Sequence, residues 1–236
     1  AYHKALLDNQ THYVDSQGIL PLRKAIVEKL NRENKIDANI SEVLVTNGGM
    51  HALYTTFLSI LSPGDEVIIP SPNWTCVQWL IEMIGAVPVH LNLHENLGFR
   101  FDLAELNAAI TPKTKAILIN SPHNPTGGVF TRDDLRQIMS IAEQNDMYLI
   151  SDEAYEHIIY EDEHVSSSSM ISDFPKLKDK IISVFTFSKS YAMTGLRLGY
   201  LHTFNKALIA NMKKVVLYTA NGINSVTQWA GVEKKK

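Results

Sequence analysis

Short apolar runs alternate with longer amphipathic ones along most of the chain, and that alternation restricts the fold more than any other feature. Val43–Thr46, Glu66–Pro70, Val87–Leu91, Lys115–Asn120, Tyr148–Asp152 and Ile181–Phe187 read as strands. Between them lie helical stretches. Leu22, Ile26 and Leu30 repeat at four-residue spacing behind Pro21, a helix-starting proline. Met50 to Leu61 and Cys76–Ile84 follow the same logic, Asp102 caps a helix beginning at Leu103, and Thr131 caps another running to Gln144. Ser62-Pro63-Gly64-Asp65 is a turn signal. Glu161–Lys180, with four consecutive serines, reads as a surface excursion. Strand–helix alternation without repeats or linkers predicts one α/β domain.

Composition narrows the function classes. A chain of 236 residues, 45% hydrophobic and 20% charged, can bury a core without crosslinks. Its single cysteine, Cys76, excludes an internal disulfide framework and a cysteine zinc cluster; a small core or subsurface role is expected for it. A formal charge of −3 argues against nucleic acid as a partner. Runs such as Ala116–Ile119 are too short to span a bilayer, and Ala1–Gln10 lacks the apolar core of a signal peptide, so no membrane association and a cytoplasmic setting are expected. His90 and His94 lack further ligands, so no metal site is expected. Met193 and Leu196 read as packing residues, and Lys234–Lys236 as a solvated tail.

Four motifs could carry chemistry. Thr46-Asn47-Gly48-Gly49-Met50 joins a strand to a helix, and a helix N-terminus offers amides and a positive dipole end to an anion, although a plain turn would look the same. Asn120-Ser121-Pro122-His123-Asn124-Pro125-Thr126-Gly127 is a rigid loop at a strand end, where Asn124 either meets a ligand or closes an Asx turn. Asp152, in Ser151-Asp152-Glu153-Ala154-Tyr155, closes an apolar strand either as a cap or as a buried charge needing a cation. Thr186-Phe187-Ser188-Lys189-Ser190, followed by Gly195-Leu196-Arg197-Leu198-Gly199, offers a lysine amine among hydroxyls and an arginine able to clamp an anion.

In this order, and with Ser71-Pro72-Asn73-Trp74 between the first two, these motifs resemble the class I/II aminotransferases. Those are fold-type I enzymes that use pyridoxal 5′-phosphate (PLP). The resemblance runs from Tyr13 to about Trp229. It implies a three-layer αβα sandwich around a mostly parallel mixed sheet, the large domain of PLP-dependent transferases. It also implies a role for each matching residue. Lys189 would form the Schiff base with PLP, and Asp152 would keep the ring nitrogen protonated. Asn124 and Tyr155 would meet the ring hydroxyl oxygen, and Trp74 would stack on the ring. Gly48, Gly49, Met50, Thr186, Ser188 and Arg197 would hold the phosphate. Tyr13 would reach the phosphate of a neighbouring subunit, which implies a homodimer.

The implied activity is transamination (EC 2.6.1.-) between an α-amino acid or amine and a 2-oxo acid. The same residues would also serve a PLP-dependent β-lyase, racemase or decarboxylase, or a PLP-binding module with little catalysis. Family members are longer. The expected organisation is a PLP-binding large domain, with an opening segment and helix over 1–36, an α/β core over 37–205 and a helical tail over 206–236. The N-terminal arm and C-terminal small domain are expected to be absent. The family's substrate-carboxylate arginine has no match at Arg23, Arg32, Arg100, Arg132 or Arg136.

Overall fold

The computed structural model describes residues 1–161 and 163–232. The Lys234–Lys236 tail, the end of the expected 206–236 segment and Asp162 lie outside the described residues. In chain order the elements are α1 (Tyr2–Leu7), α2 (Leu20–Lys29), β1 (Val43–Thr46), α3 (Gly48–Ile60), β2 (Glu66–Ser71), α4 (Cys76–Met83), β3 (Val87–His94), β4 (Arg100–Phe101), α5 (Leu103–Ala108), β5 (Thr114–Asn120), α6 (Arg132–Gln144), β6 (Tyr148–Asp152), β7 (Ile181–Thr186), β8 (Gly199–His202), α7 (Lys206–Ala220) and α8 (Ser225–Val232). Eight strands form one mixed sheet in the order β1-β8-β7-β6-β5-β2-β3-β4. Strand β2 pairs in parallel with β3 and β5, and β5 with β6; β1–β8 and β3–β4 are antiparallel. The α/β class and the mostly parallel mixed sheet hold as expected.

Local chemistry accounts for most boundaries. Pro21 sits in the first turn of α2 and Leu22, Ile26 and Leu30 are buried along one stripe. The Asp102 carboxylate accepts the amides of Ala104 and Glu105, and Thr131 and Asp134 exchange a reciprocal capping box at the start of α6. The central strands β5 and β6 are almost wholly buried, which is why their sequences read as unbroken apolar runs.

The chain divides into two compact units, one of Ala1–Ser59 with the chain from Val184 on, the other Ile60–Ser183. Within the second, the serine-rich stretch corrects the surface expectation. Ser166, Ser167 and Ser168 are buried, and their hydroxyls bond Glu153, Ser151 and Ser183 at 2.8–2.9 Å. Small hydroxyl groups that satisfy one another can be buried where composition alone suggests solvent. Among the described residues, no helix is long and apolar enough to cross a membrane.

Candidate active site

The expected site residues fall into two groups, one in each unit. In Ile60–Ser183, β2, β5 and β6 run parallel, so the segments after them leave the sheet at one edge. Those segments carry Trp74, the loop Ser121–Gly128, and Glu153–Tyr155. Asp152 closes β6 in register with Asn120, whose Nδ2 donates to the Asp152 carbonyl at 3.0 Å. The Asp152 carboxyl is 8% exposed and accepts a single hydrogen bond among the described residues, from the Ala154 amide at 3.2 Å. Burial pushes it up to about 7; the Glu153 charge adds to the rise and the Ala154 amide opposes it. Asp152 therefore caps the next segment and is also a buried carboxyl with no cation beside it among the described residues.

The neighbouring loop is closed by Asn120, not by Asn124. The Asn120 Oδ1 accepts the Asn124 amide at 2.8 Å, which leaves the Asn124 side chain to donate from Nδ2 to Tyr155 Oη at 3.2 Å. His123 pairs Nδ1 with Thr126 Oγ1 at 2.8 Å, and burial pushes its ring down to about 4, so it is neutral. A cavity of about 500 Å³ opens between this loop and the segment after Tyr155, lined by Pro122, Asn124, Tyr155, Ile158 and Tyr160.

In the other unit, β1 passes into α3 through Asn47. The glycines begin the helix; they do not precede it, so α3 starts two residues before the expected Met50. Gly48 has φ +82°, and a Cβ there would stand 2.6 Å from Arg197 Nη2. The missing methyl is thus the space that the guanidinium uses. Arg197 itself lies in the left-handed region at φ +52°, rare for a non-glycine residue, and its Nη1 donates to the Thr194 carbonyl at 2.7 Å. At Gly199 a Cβ would meet the Gly48 carbonyl carbon at 2.7 Å, the Gly49 nitrogen at 2.9 Å and the Phe185 oxygen at 2.9 Å. Three backbones meet there at contact distance. The Thr186 hydroxyl accepts the Ser188 amide at 3.1 Å, and Lys189 is exposed on the turn after β7. Tyr13 is 86% exposed and borders a cavity of about 570 Å³ with Asn221 and Asn224.

Within its own unit, each group is partly joined. Asn124 bonds Tyr155 and Asn120 links that loop to Asp152, while Gly48 abuts Arg197 and Thr186 bonds Ser188. Trp74 leaves the same sheet edge but shares no hydrogen bond with Asn124, Tyr155 or Asp152. Two contributors were missed. Asn120 carried the signal that exposed Asp152, a polar residue closing an apolar strand. His51, which accepts the Asn47 amide, carried none, because its other partner is Thr219 on α7.

The description "Aminotransferase class I and II" belongs to the family whose profile matches residues 4–233, and the chain belongs to that family. An aspartate/prephenate aminotransferase of Thermus thermophilus is 38% identical over 233 residues, covering 99% of this chain and 59% of that protein. An aspartate aminotransferase of a Bacillus species is 38% identical over 223 residues, covering 94% of this chain and 56% of that protein. Among solved structures, the aromatic aminotransferase of Pyrococcus horikoshii superimposes with TM-score 0.94 at 36% identity, over 100% of this chain and 62% of that one. The chain therefore spans about 60% of the length of such relatives.

Proposed function

We propose that this chain holds PLP for an aminotransferase that moves an amino group between an α-amino acid or amine and a 2-oxo acid. The observation that carries the reading is the Asp152 carboxyl, buried at a strand end and lacking a cation among the described residues. Such a group fits a protonated ring nitrogen, beside which it would stay ionised. The Arg197 guanidinium, seated where Gly48 lacks a Cβ at the first residue of the 13-residue α3, puts a cation beside a helix N-terminus, a combination that fits a phosphate.

Each residue then has a task. Arg197, the amides of Gly49 and Met50, and the Thr186 and Ser188 hydroxyls would hold the phosphate. Asn124 and Tyr155 would hold the ring hydroxyl oxygen, and Trp74 would cover a ring face. PLP, when bound, supplies an electron-withdrawing ring that makes the substrate Cα proton removable. Lys189 Nζ would anchor the cofactor and, once released, carry a proton to and from the substrate Cα. The same proposal treats 1–36 as an opening segment and helix, 37–205 as the α/β core and 206 onward as a helical tail, within a homodimer where Tyr13 reaches the partner's phosphate. The relatives described above are named as aminotransferases, which supports transfer over elimination, racemisation or decarboxylation.

The test is borohydride reduction of the PLP-treated chain followed by peptide mass mapping. One phosphopyridoxyl label on Lys189 is expected, with none in Lys189→Ala. A label that persists at full occupancy in Lys189→Ala sinks the assignment.

A further inference from the structure

His51 stands one turn into α3 and belongs to none of the roles above, yet its ring is committed at both nitrogens. Nδ1 accepts the Asn47 backbone amide at 3.1 Å, and Nε2 lies 3.0 Å from Thr219 Oγ1. Thr219 uses its own hydroxyl proton on the Val215 carbonyl at 2.7 Å, so it must accept from His51. That chain of donors fixes the ring as the neutral Nε2–H tautomer, with Nδ1 as acceptor. Burial lowers the ring's proton affinity and so agrees with a neutral imidazole. On the other side of the same turn, Thr46 Oγ1 donates to the Gly48 carbonyl at 3.1 Å. The peptide between Asn47 and Gly48 is thereby held from both flanks, and the Arg197 guanidinium occupies the space where Gly48 lacks a Cβ.

We infer that His51 is a positioning residue for phosphate recognition: its Nδ1, oriented by Thr219 on α7, sets the Asn47–Gly48 turn and with it the first amides of α3. The inference rests on the PLP reading and deepens it. It separates the phosphate from the rest of the cofactor, because His51 shapes only the turn that leads into those amides.

The experiment compares binding of PLP, of pyridoxal without its phosphate, and of inorganic phosphate to the wild-type chain, His51→Ala, His51→Asn and Thr219→Val. Loss of one oriented hydrogen bond predicts a three- to tenfold rise in the dissociation constants for PLP and inorganic phosphate in His51→Ala, on the order expected for one such bond. Pyridoxal binding should stay unchanged. His51→Asn, whose Oδ1 can take the place of Nδ1, should recover most of the loss, and Thr219→Val should weaken phosphate binding without removing the ring. Equal weakening of all three ligands, or none in a folded His51→Ala, overturns the inference. Should His51→Ala fail to fold, Thr219→Val decides alone, with unchanged phosphate affinity counting against it. A wild-type chain that binds neither PLP nor phosphate overturns the cofactor reading itself, which is a distinguishable result.

Discussion

At Asp152, a single carboxyl couples pH to folding. Its proton is held more tightly in the folded chain than in the unfolded one, because burial raises it from the ordinary value near 3.8 to about 7. The stabilising contribution of the protonated form is complete below about pH 4 and is lost as pH rises through about 7. In the cofactor-free chain, Asp152→Asn should therefore raise stability at pH 8 by up to about 4 kcal/mol and change little at pH 4. Urea unfolding at the two pH values checks this; equal effects at both would contradict it. Asp152 was legible in the sequence because a charge at the end of an apolar strand is conspicuous. The part played by Asn120 was not, since only the fold shows that its side chain, at the end of β5, accepts the Asn124 amide.

At the scale of elements, the junction of β8, the end of β7 and the start of α3 depends on what glycine lacks. Gly48→Ala and Gly199→Ala both add one methyl, but they meet different obstacles. At Gly48 the obstacle is a guanidinium that can swing aside, and the remaining penalty is the left-handed backbone, about 1–2 kcal/mol. At Gly199 the obstacles are backbone atoms on two other segments, which cannot yield separately, so a loss of about 2–4 kcal/mol is expected. Gly48→Ala should instead show the larger drop in phosphate affinity. Denaturant midpoints and phosphate titrations of the two variants give both orderings. Strand and helix positions were readable from periodicity, and caps from Asp102 and Thr131. The buried serines were not, because a run of serines has the same composition whether its hydroxyls face water or one another. Strand β4, only two residues long, and β8, a four-residue strand that begins at the last glycine of the Gly195–Gly199 motif, offered no apolar run long enough to read.

For the whole molecule, family membership rests on a match along nearly the entire chain, while the chain spans about 60% of the relatives' length. The proposed phosphate and ring partners come from the sequence motifs, whose order along the chain resembles that of the family. The role proposed for Tyr13 comes only from that resemblance, and its side chain is 86% exposed. If Tyr13 serves a neighbour, the PLP-loaded chain should sediment at twice its 26.5 kDa mass, and Tyr13→Phe should weaken PLP binding several-fold without changing that mass. A strictly monomeric loaded chain would count against the homodimer. Arg197 has a further, kinetic consequence. Its bond to Thr194 and its seat against Gly48 hold the guanidinium in place before any anion arrives, so capture needs no search through side-chain conformers. If Arg197 holds the phosphate, the rate of capture there should follow diffusion and ionic strength, with no slow isomerisation step in front of it.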